Sequence, residues 1–364
     1  MSLAQKKMLS AYFQSASPLF FLMSFFRAPR ENFYEGESVE IDIQRTGESV
    51  SVALSDISQG YKQNTVALST NKEFKPPAHK EAISLNSFSL LKREVGQDSY
   101  EQVGYRAKLL NKILTSTRPV ADKVMRSMEW QCSQVLQSGV VSLTDEAGAA
   151  TFEIDYSPKA AHFPTAGTAW SNPAAPIAND LLSLCNVIRN NGKMRPNIAI
   201  FGEASYEAMF ANTALMERLN FRRADTAAIT PQSRNSEMGL FHGVIELGNS
   251  RLEIWTYDGH YENPQTKVVT PFVADDKVIL LASGGRLDAT FGGVPNIGQI
   301  LGVAGNRVPG VASIPRLRSV GNMTDLHVNA WTDNSGENLT VGVASRPLMI
   351  PTAIDTFGCI TTGV

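Results

Sequence analysis

The chain has 364 residues, 43% hydrophobic and 19% charged, with a formal net charge of −2. This is enough apolar material for one large core or two smaller ones. The near-neutral balance excludes a protein that grips nucleic acid by neutralising phosphates along its whole length. Cys132, Cys185 and Cys359 lie far apart, an odd count without CxxC spacing, which argues for buried thiols in a reducing compartment and against a disulfide frame or a zinc site.

Residues 1–17 are polar, and a short helix is expected at 4–13. The apolar run 18–26 is too short to span a bilayer. It lacks a small-residue cleavage site and runs straight into Arg27 and Arg30, so a cytoplasmic product without export is expected. Five phenylalanines (Phe20, Phe21, Phe25, Phe26 and Phe33) and Tyr34 crowd this arm. Either the arm folds back onto its own core, or it lies across a neighbouring molecule, since aromatic side chains carry much of the contact energy of interfaces.

Residues 37–44 alternate, with Val39, Ile41 and Ile43 against Glu40, Asp42 and Gln44, which predicts a strand with one wet face. From 45 to about 91 the chain is β-like but poor in large apolar side chains, with Gly47 and Gly60 as turns and Pro76–Pro77 forcing an extended course. Such a stretch cannot bury much alone. It reads as a long hairpin that needs something else to pack on it, or as a disordered insertion.

Residues 100–139 organise the chain. Leu110, Ile113, Leu114, Val120, Val124, Met125, Met128, Cys132 and Val135 recur at steps of three and four, while Lys108, Lys112, Asp122, Lys123, Arg126 and Glu129 fill the other sides. This predicts one amphipathic helix of roughly 57 Å, or two with a break at Pro119. The stripe is wider than a coiled-coil seam, which favours a strut across a flat, extended subunit.

A hairpin follows around 145–148, and a Pro-, Ala- and Gly-rich boundary at 157–176. A helix at 179–191 with Gly192 as its C-cap, a buried strand at 196–201, a helix at 204–219 and strands at 252–257, 267–271 and 277–281 predict an α/β lobe. A last hairpin covers 326–345, and Pro347 and Pro351 confine the closing stretch to an edge or rim. The lobe is therefore inserted into a domain made from both flanks.

Motifs that carry chemistry are missing. His79, His162, His242, His260 and His327 share no metal-ligand spacing. His242 and His260 are expected in turns and His327 on the wet face of a strand. There is no GxSxG elbow and no P-loop, and the Gly-rich stretch 283–298 lacks GxGxxG spacing. Asp258, Glu262 and Asp288 would meet only by accident of folding, and Asp275–Asp276 read as a solvated turn. No catalytic set, cofactor site or metal site is expected.

The order of these parts, an aromatic arm, a long extended loop, a long helix and a split domain around an α/β lobe, resembles the Hong Kong 97-type capsid fold of tailed phages. More narrowly, the chain is similar to the lambda-type major capsid protein E family. The residues that carry the likeness are PLFFLMSFFR (18–27) with EGESVEID (35–42) following, the GYKQ and FKPPAHKE stretches within 60–81, YRAKLL at the head of the long helix, FEID (152–155), TAW (168–170) and SRPLMIPTAIDTF (345–357). The resemblance implies an α+β fold with an N-terminal arm (1–40), an extended loop (41–95), a peripheral domain with the spine helix (96–172 and 311–364) and an axial domain (173–310). It implies a non-enzymatic shell protein of the virion, assembled in the host cytoplasm with no membrane involved. The shell is an icosahedral one of hexamers and pentamers that encloses double-stranded DNA by weak contact and expands on maturation, with hinges near Gly36, Gly47 and Gly96.

Scaffolding and portal proteins, and possibly a decoration protein, are the further partners it implies. The candidate intersubunit contacts are Phe20, Phe21, Phe25, Phe26, Arg27, Phe33, Tyr34, Tyr61 and Phe74. Two alternatives stand beside this reading: an encapsulin-like nanocompartment shell, and a cytosolic hydrolase with its site around Gly202, Asp258 and His260.

Overall fold

The computed structural model describes residues 21–29, 32–34, 36, 38–43, 70–90, 105–144, 150–220, 232–233, 239–294, 319–320, 323–324, 326–332 and 337–364. The helix expected at 4–13, the β-like runs within 50–69 and the tip of the hairpin at 145–149 lie outside them.

After a 3-10 turn at Leu22–Phe25 come β1 (Phe33–Tyr34), β2 (Val39–Ile43) and β3 (Thr70–Phe74). β2 and β3 pair antiparallel, Val39 opposite Phe74 and Ile43 opposite Thr70, so the chain between them leaves and returns at one place. β4 (His79–Asn86) follows the proline pair. The long periodic stretch is one helix, α1 (Tyr105–Ser138), 34 residues or about 51 Å, and it runs through Pro119. Pro119 faces outward, where water can stand in for the amide it lacks. The predicted hairpin is β5 (Val140–Thr144) with β6 (Ala150–Asp155).

Next come α2 (Ile177–Gly192), β7 (Ile198–Phe201), α3 (Glu203–Ala211) and α4 (Thr213–Asn220). The strands β8 (Gln232–Ser233), β9 (Gly239–Leu247), β10 (Ser250–Tyr257), β11 (His260–Glu262), β12 (Val269–Pro271), β13 (Lys277–Leu281) and β14 (Asp288–Gly292) follow. The chain ends with β15 (Ser319–Val320), β16 (Met323–Thr324), β17 (His327–Thr332), β18 (Asn338–Ser345), β19 (Pro347–Ile350) and β20 (Phe357–Thr361).

The largest sheet runs β20-β13-β7-β10-β9-β8, with only β7 and β10 parallel. It is a wall between two cores. Ile198, Ile200, Ile279, Leu281, Phe357 and Cys359 point to the first, on the α1 side. Ala199, Phe201, Val278, Leu280 and Ile360 point to the second, under α2 and α3. Burial on both faces is why these strands read as unbroken apolar runs. A second sheet, β17-β18-β4, lays one face on α1, where Leu85, Ile113 and Val341 make a small third cluster. In a third, β14 sits between β1 and β19, and the proline-bearing β19 takes the edge.

Four local expectations are corrected. The helix ending in Gly192 includes that glycine, and Lys193 adopts the left-handed φ of 58° instead. Gly192 is there for space, since a Cβ would lie 2.2 Å from the Asp355 carbonyl oxygen. The helix expected at 204–219 is two, because Asn212 interrupts it. Its carboxamide oxygen accepts the Leu215 amide at 2.8 Å, capping α4, and its nitrogen donates to the Ala175 carbonyl at 2.8 Å. His242 and His260 lie in β9 and β11, not in turns; His242 occupies a bulge, where the β9–β10 register shifts between Ile254 and Trp255. Finally, Glu129, read as part of the polar side of α1, is fully buried.

Candidate assembly interface

The arm is built onto α1 and β14. Glu129 on α1 accepts the backbone amides of Leu22 at 2.7 Å and Met23 at 2.8 Å, one on each carboxylate oxygen. Those are the first two amides of the 3-10 turn, which otherwise have no carbonyl to bond. Phe21 packs in an aromatic nest, its ring 5.2 Å from Phe25, 5.5 Å from Trp255 and 5.4 Å from Tyr257. It lies against Gly239, where a Cβ would come within 2.5 Å of the ring. Further on, the Arg27 amide donates to the Leu287 carbonyl and the Ala289 amide to the Arg27 carbonyl, at 2.9 and 2.7 Å. β1 then pairs parallel with β14, and Phe33 stacks on Phe291 with ring centres 5.2 Å apart.

Part of the arm folds inward. Phe21, Phe26 and Phe33 are buried in the chain's own core. Phe25 and Tyr34 are half-buried, and Arg27 is exposed. Phe74, at the root of the loop, is half-buried against Tyr156 at 5.7 Å. The structure thus brings Phe21 and Phe25 together and keeps Phe33 and Phe74 at separate places. Phe20 and Tyr61 lie outside the described residues.

Exposed apolar surface occurs where sequence reasoning did not look. Trp331 on β17 is 47% exposed, Phe88 just beyond β4 is 65% exposed, and Val269 at the start of β12 is 63% exposed. Trp331 stands opposite Thr340 on β18, which stands opposite Ser84 on β4, so these three share the face turned away from α1. Small neighbours make that face flat: Ala82 and Gly342 are paired, and a Cβ on Gly342 would meet the Trp331 ring at 3.0 Å. A signal existed, since His327, Asn329 and Trp331 alternate on one side, which sets a tryptophan among polar residues. Nothing in the local sequence marks Phe88 or Val269.

The electrostatics of the interior follow from burial. Desolvation pushes Glu129 up to about 7, against the two amides that favour its charged form. Burial also raises the thiols, Cys185 to about 11, Cys359 to about 12 and Cys132 well above its ordinary range. All three cysteines are free and inert on that account. His79, beside α1, is lowered by desolvation, and its ring Nε2 lies 3.2 Å from Gln131 Nε2.

Of the residues of the hydrolase alternative, Gly202 is buried, whereas Asp258 and His260 are exposed. Gly202 is packed on the backbone of Ala274 and Asp275, with a Cβ position 2.1 Å from the Ala274 carbonyl oxygen. His260 and Asp258 make an exposed pair at 3.5 Å. Asp288 is engaged by Arg286 at 2.9 Å and Thr352 at 2.7 Å. Among the described residues no three His, Cys, Asp or Glu side chains group to hold a metal, and no helix is long and apolar enough to cross a membrane.

Comparison with known proteins agrees with the architecture. No curated protein sequence matches the chain. Among solved structures, a protein described as a prophage capsid protein of E. coli CFT073 superposes with a TM-score of 0.62 at 15% identity, covering 98% of each chain; that likeness shows the fold. A phage-related protein from Bordetella bronchiseptica RB50 gives a TM-score of 0.46 at 13% identity, over 98% of this chain and 97% of the other. The SrpI encapsulin of Synechococcus elongatus PCC 7942 gives 0.44 at 12% identity, over 100% and 95%. The sequence itself matches the phage major capsid protein E family over residues 8–361, nearly its whole length. The chain therefore belongs to the phage major capsid protein E family, and it is a structural component of a tailed-phage head.

Proposed function

We propose that copies of this chain close, as hexamers and pentamers, into the icosahedral shell that encloses a double-stranded DNA genome and expands on maturation. The observation that carries the reading is the family match along residues 8–361. The division proposed is an arm (1–40), an extended loop (41–95), a peripheral domain (96–172 and 311–364) and an axial lobe (173–310). One strand crosses it, since β20 forms the outer strand of the lobe sheet against β13. The proposed intersubunit contacts are Phe25, Arg27, Tyr34 and Phe74, which keep exposed surface, together with Trp331 and Phe88. Phe20 and Tyr61 stay in that set on the sequence alone. Each contact can be weak, because a closed shell repeats it in every copy.

A scaffolding protein, a portal and possibly a decoration protein are the further proposed partners, with assembly in the host cytoplasm. The near-neutral chain suits a wall that touches DNA weakly and so permits both packing and release. Negative-stain microscopy and sedimentation of the expressed chain test the reading. Closed shells, tubes or capsomers are expected; a monodisperse monomer under all assembly buffers would overturn it.

A further inference from the structure

The arm is attached to α1 by a group that can lose its hold. Glu129 has no accessible surface, and both its oxygens are spent on the amides of Leu22 and Met23. Phe21, next in the chain, fills the socket made by Gly239, Trp255 and Tyr257. Among the described residues, the titratable groups that act on Glu129 are Tyr257 from β10 and Cys132 from one turn along α1, and residues 21–26 present backbone amides to it. Burial holds both the Tyr257 hydroxyl and the Cys132 thiol in their neutral forms, so neither titrates alongside Glu129. The buried Tyr257 hydroxyl lies beside the Glu129 carboxyl, where it can donate to the charged form or accept the O–H of the protonated one.

We propose that Glu129 is a protonation-dependent latch for residues 21–26: the arm is held on α1 while the carboxyl keeps its proton, and it loosens when the proton is lost. The sign follows from linkage. Burial pushes the docked carboxyl up to about 7; on this proposal, lifting the arm lets water reach it and returns it to its ordinary value of 4.5. Docking is then fully supported below the ordinary value and loses support as pH rises through 7, because a buried negative charge remains. The docking equilibrium should fall on the order of a hundredfold between about pH 5 and about pH 8. The latch is local, since the bonds of Arg27 to Leu287 and Ala289 and the pairing of β1 with β14 involve no titrating side chain and keep the later part of the arm in place. It is a property of the single chain and does not rest on shell formation.

The test is amide hydrogen exchange of the full-length chain, read on the peptide covering 21–27 and corrected for the chemical rate at each pH. Protection should fall as pH rises through 7 in the native protein. Glu129→Gln, which keeps the shape and one acceptor but turns an NH2 to the other arm amide and carries no charge, should give protection that does not change across the range. Glu129→Ala should loosen the arm at both ends of the range. Native protection with no pH dependence beyond that of Glu129→Gln would overturn the latch. So would a Glu129→Gln protein that loosens with rising pH just as the native one does, since the titrating group would then lie elsewhere.

Discussion

The two cores on either side of the main sheet are made in different ways. The second, under α2 and α3, is drawn from Trp170 to Leu280 with Ile360 as its one distant member. The first is gathered from Phe21 to Cys359, the whole length of the chain, and has a carboxyl at its centre. A core built from neighbours in sequence pays little loop-closure entropy and can form early. One built from both ends of the chain is complete only when the arm and the closing strands are in place. The lobe is thus the self-sufficient part, and the arm side is the adjustable part.

The largest effect should come from the self-sufficient side. Ile188 on α2 is fully buried, and Ile188→Ala should cost about 2–5 kcal/mol through lost burial and the cavity left behind. Hydrogen exchange should show α2 and α3 loosening more than α1. Equal loosening everywhere would break the comparison, because the shared sheet would then make both cores one cooperative unit.

On the other side, Gln137 holds α1 to the β12–β13 connection. Its nitrogen donates to the Phe272 carbonyl at 2.7 Å, and its oxygen accepts the Ala274 amide at 3.1 Å. Ser133 donates to the same Phe272 carbonyl. Gln137→Ala leaves the Ala274 amide without its acceptor and should cost about 1–3 kcal/mol by denaturant unfolding. Less than that would mean water replaces the side chain, and the polar ties would matter less than their burial implies.

Much of the lobe was legible because its signals are local. Ile198–Phe201 and Lys277–Leu281 are short apolar runs wherever they are placed, and the periodicity of α1 survives Pro119. What was not legible depended on residues far along the chain. Gly192 looked like a cap because glycine commonly ends helices, but it answers to the Asp355 carbonyl from the closing segment. Asn212 splits a helical pattern because Ala175 is there to receive its amide. Glu129 looked solvated by its type, and only the amides of Leu22 and Met23, more than a hundred residues earlier, make its burial intelligible. The candidate contacts followed the same rule. Aromatic density identified the arm as important without saying which rings face inward, and alternation around Trp331 held a signal that a search for aromatic clusters passed over.

The smallest effect should be the ion pair between α1 and β4. Lys123 and Glu81 approach to 2.6 Å, but their side chains are 61% and 39% exposed. Water and salt screen such a pair, and ordering two long side chains costs entropy. What holds β4 to the helix is Leu85 and Ile113, packed with Val341. Lys123→Gln should therefore shift unfolding by less than about 0.5 kcal/mol, and the difference from the native protein should vanish in high salt. A larger loss that persisted in high salt would mean that the lysine stem, not its charge, covers the seam between helix and sheet. The adjustable side of the molecule would then rest on packing as much as the lobe does, and the contrast between the two cores would narrow to the Glu129 carboxyl and its hold on the arm.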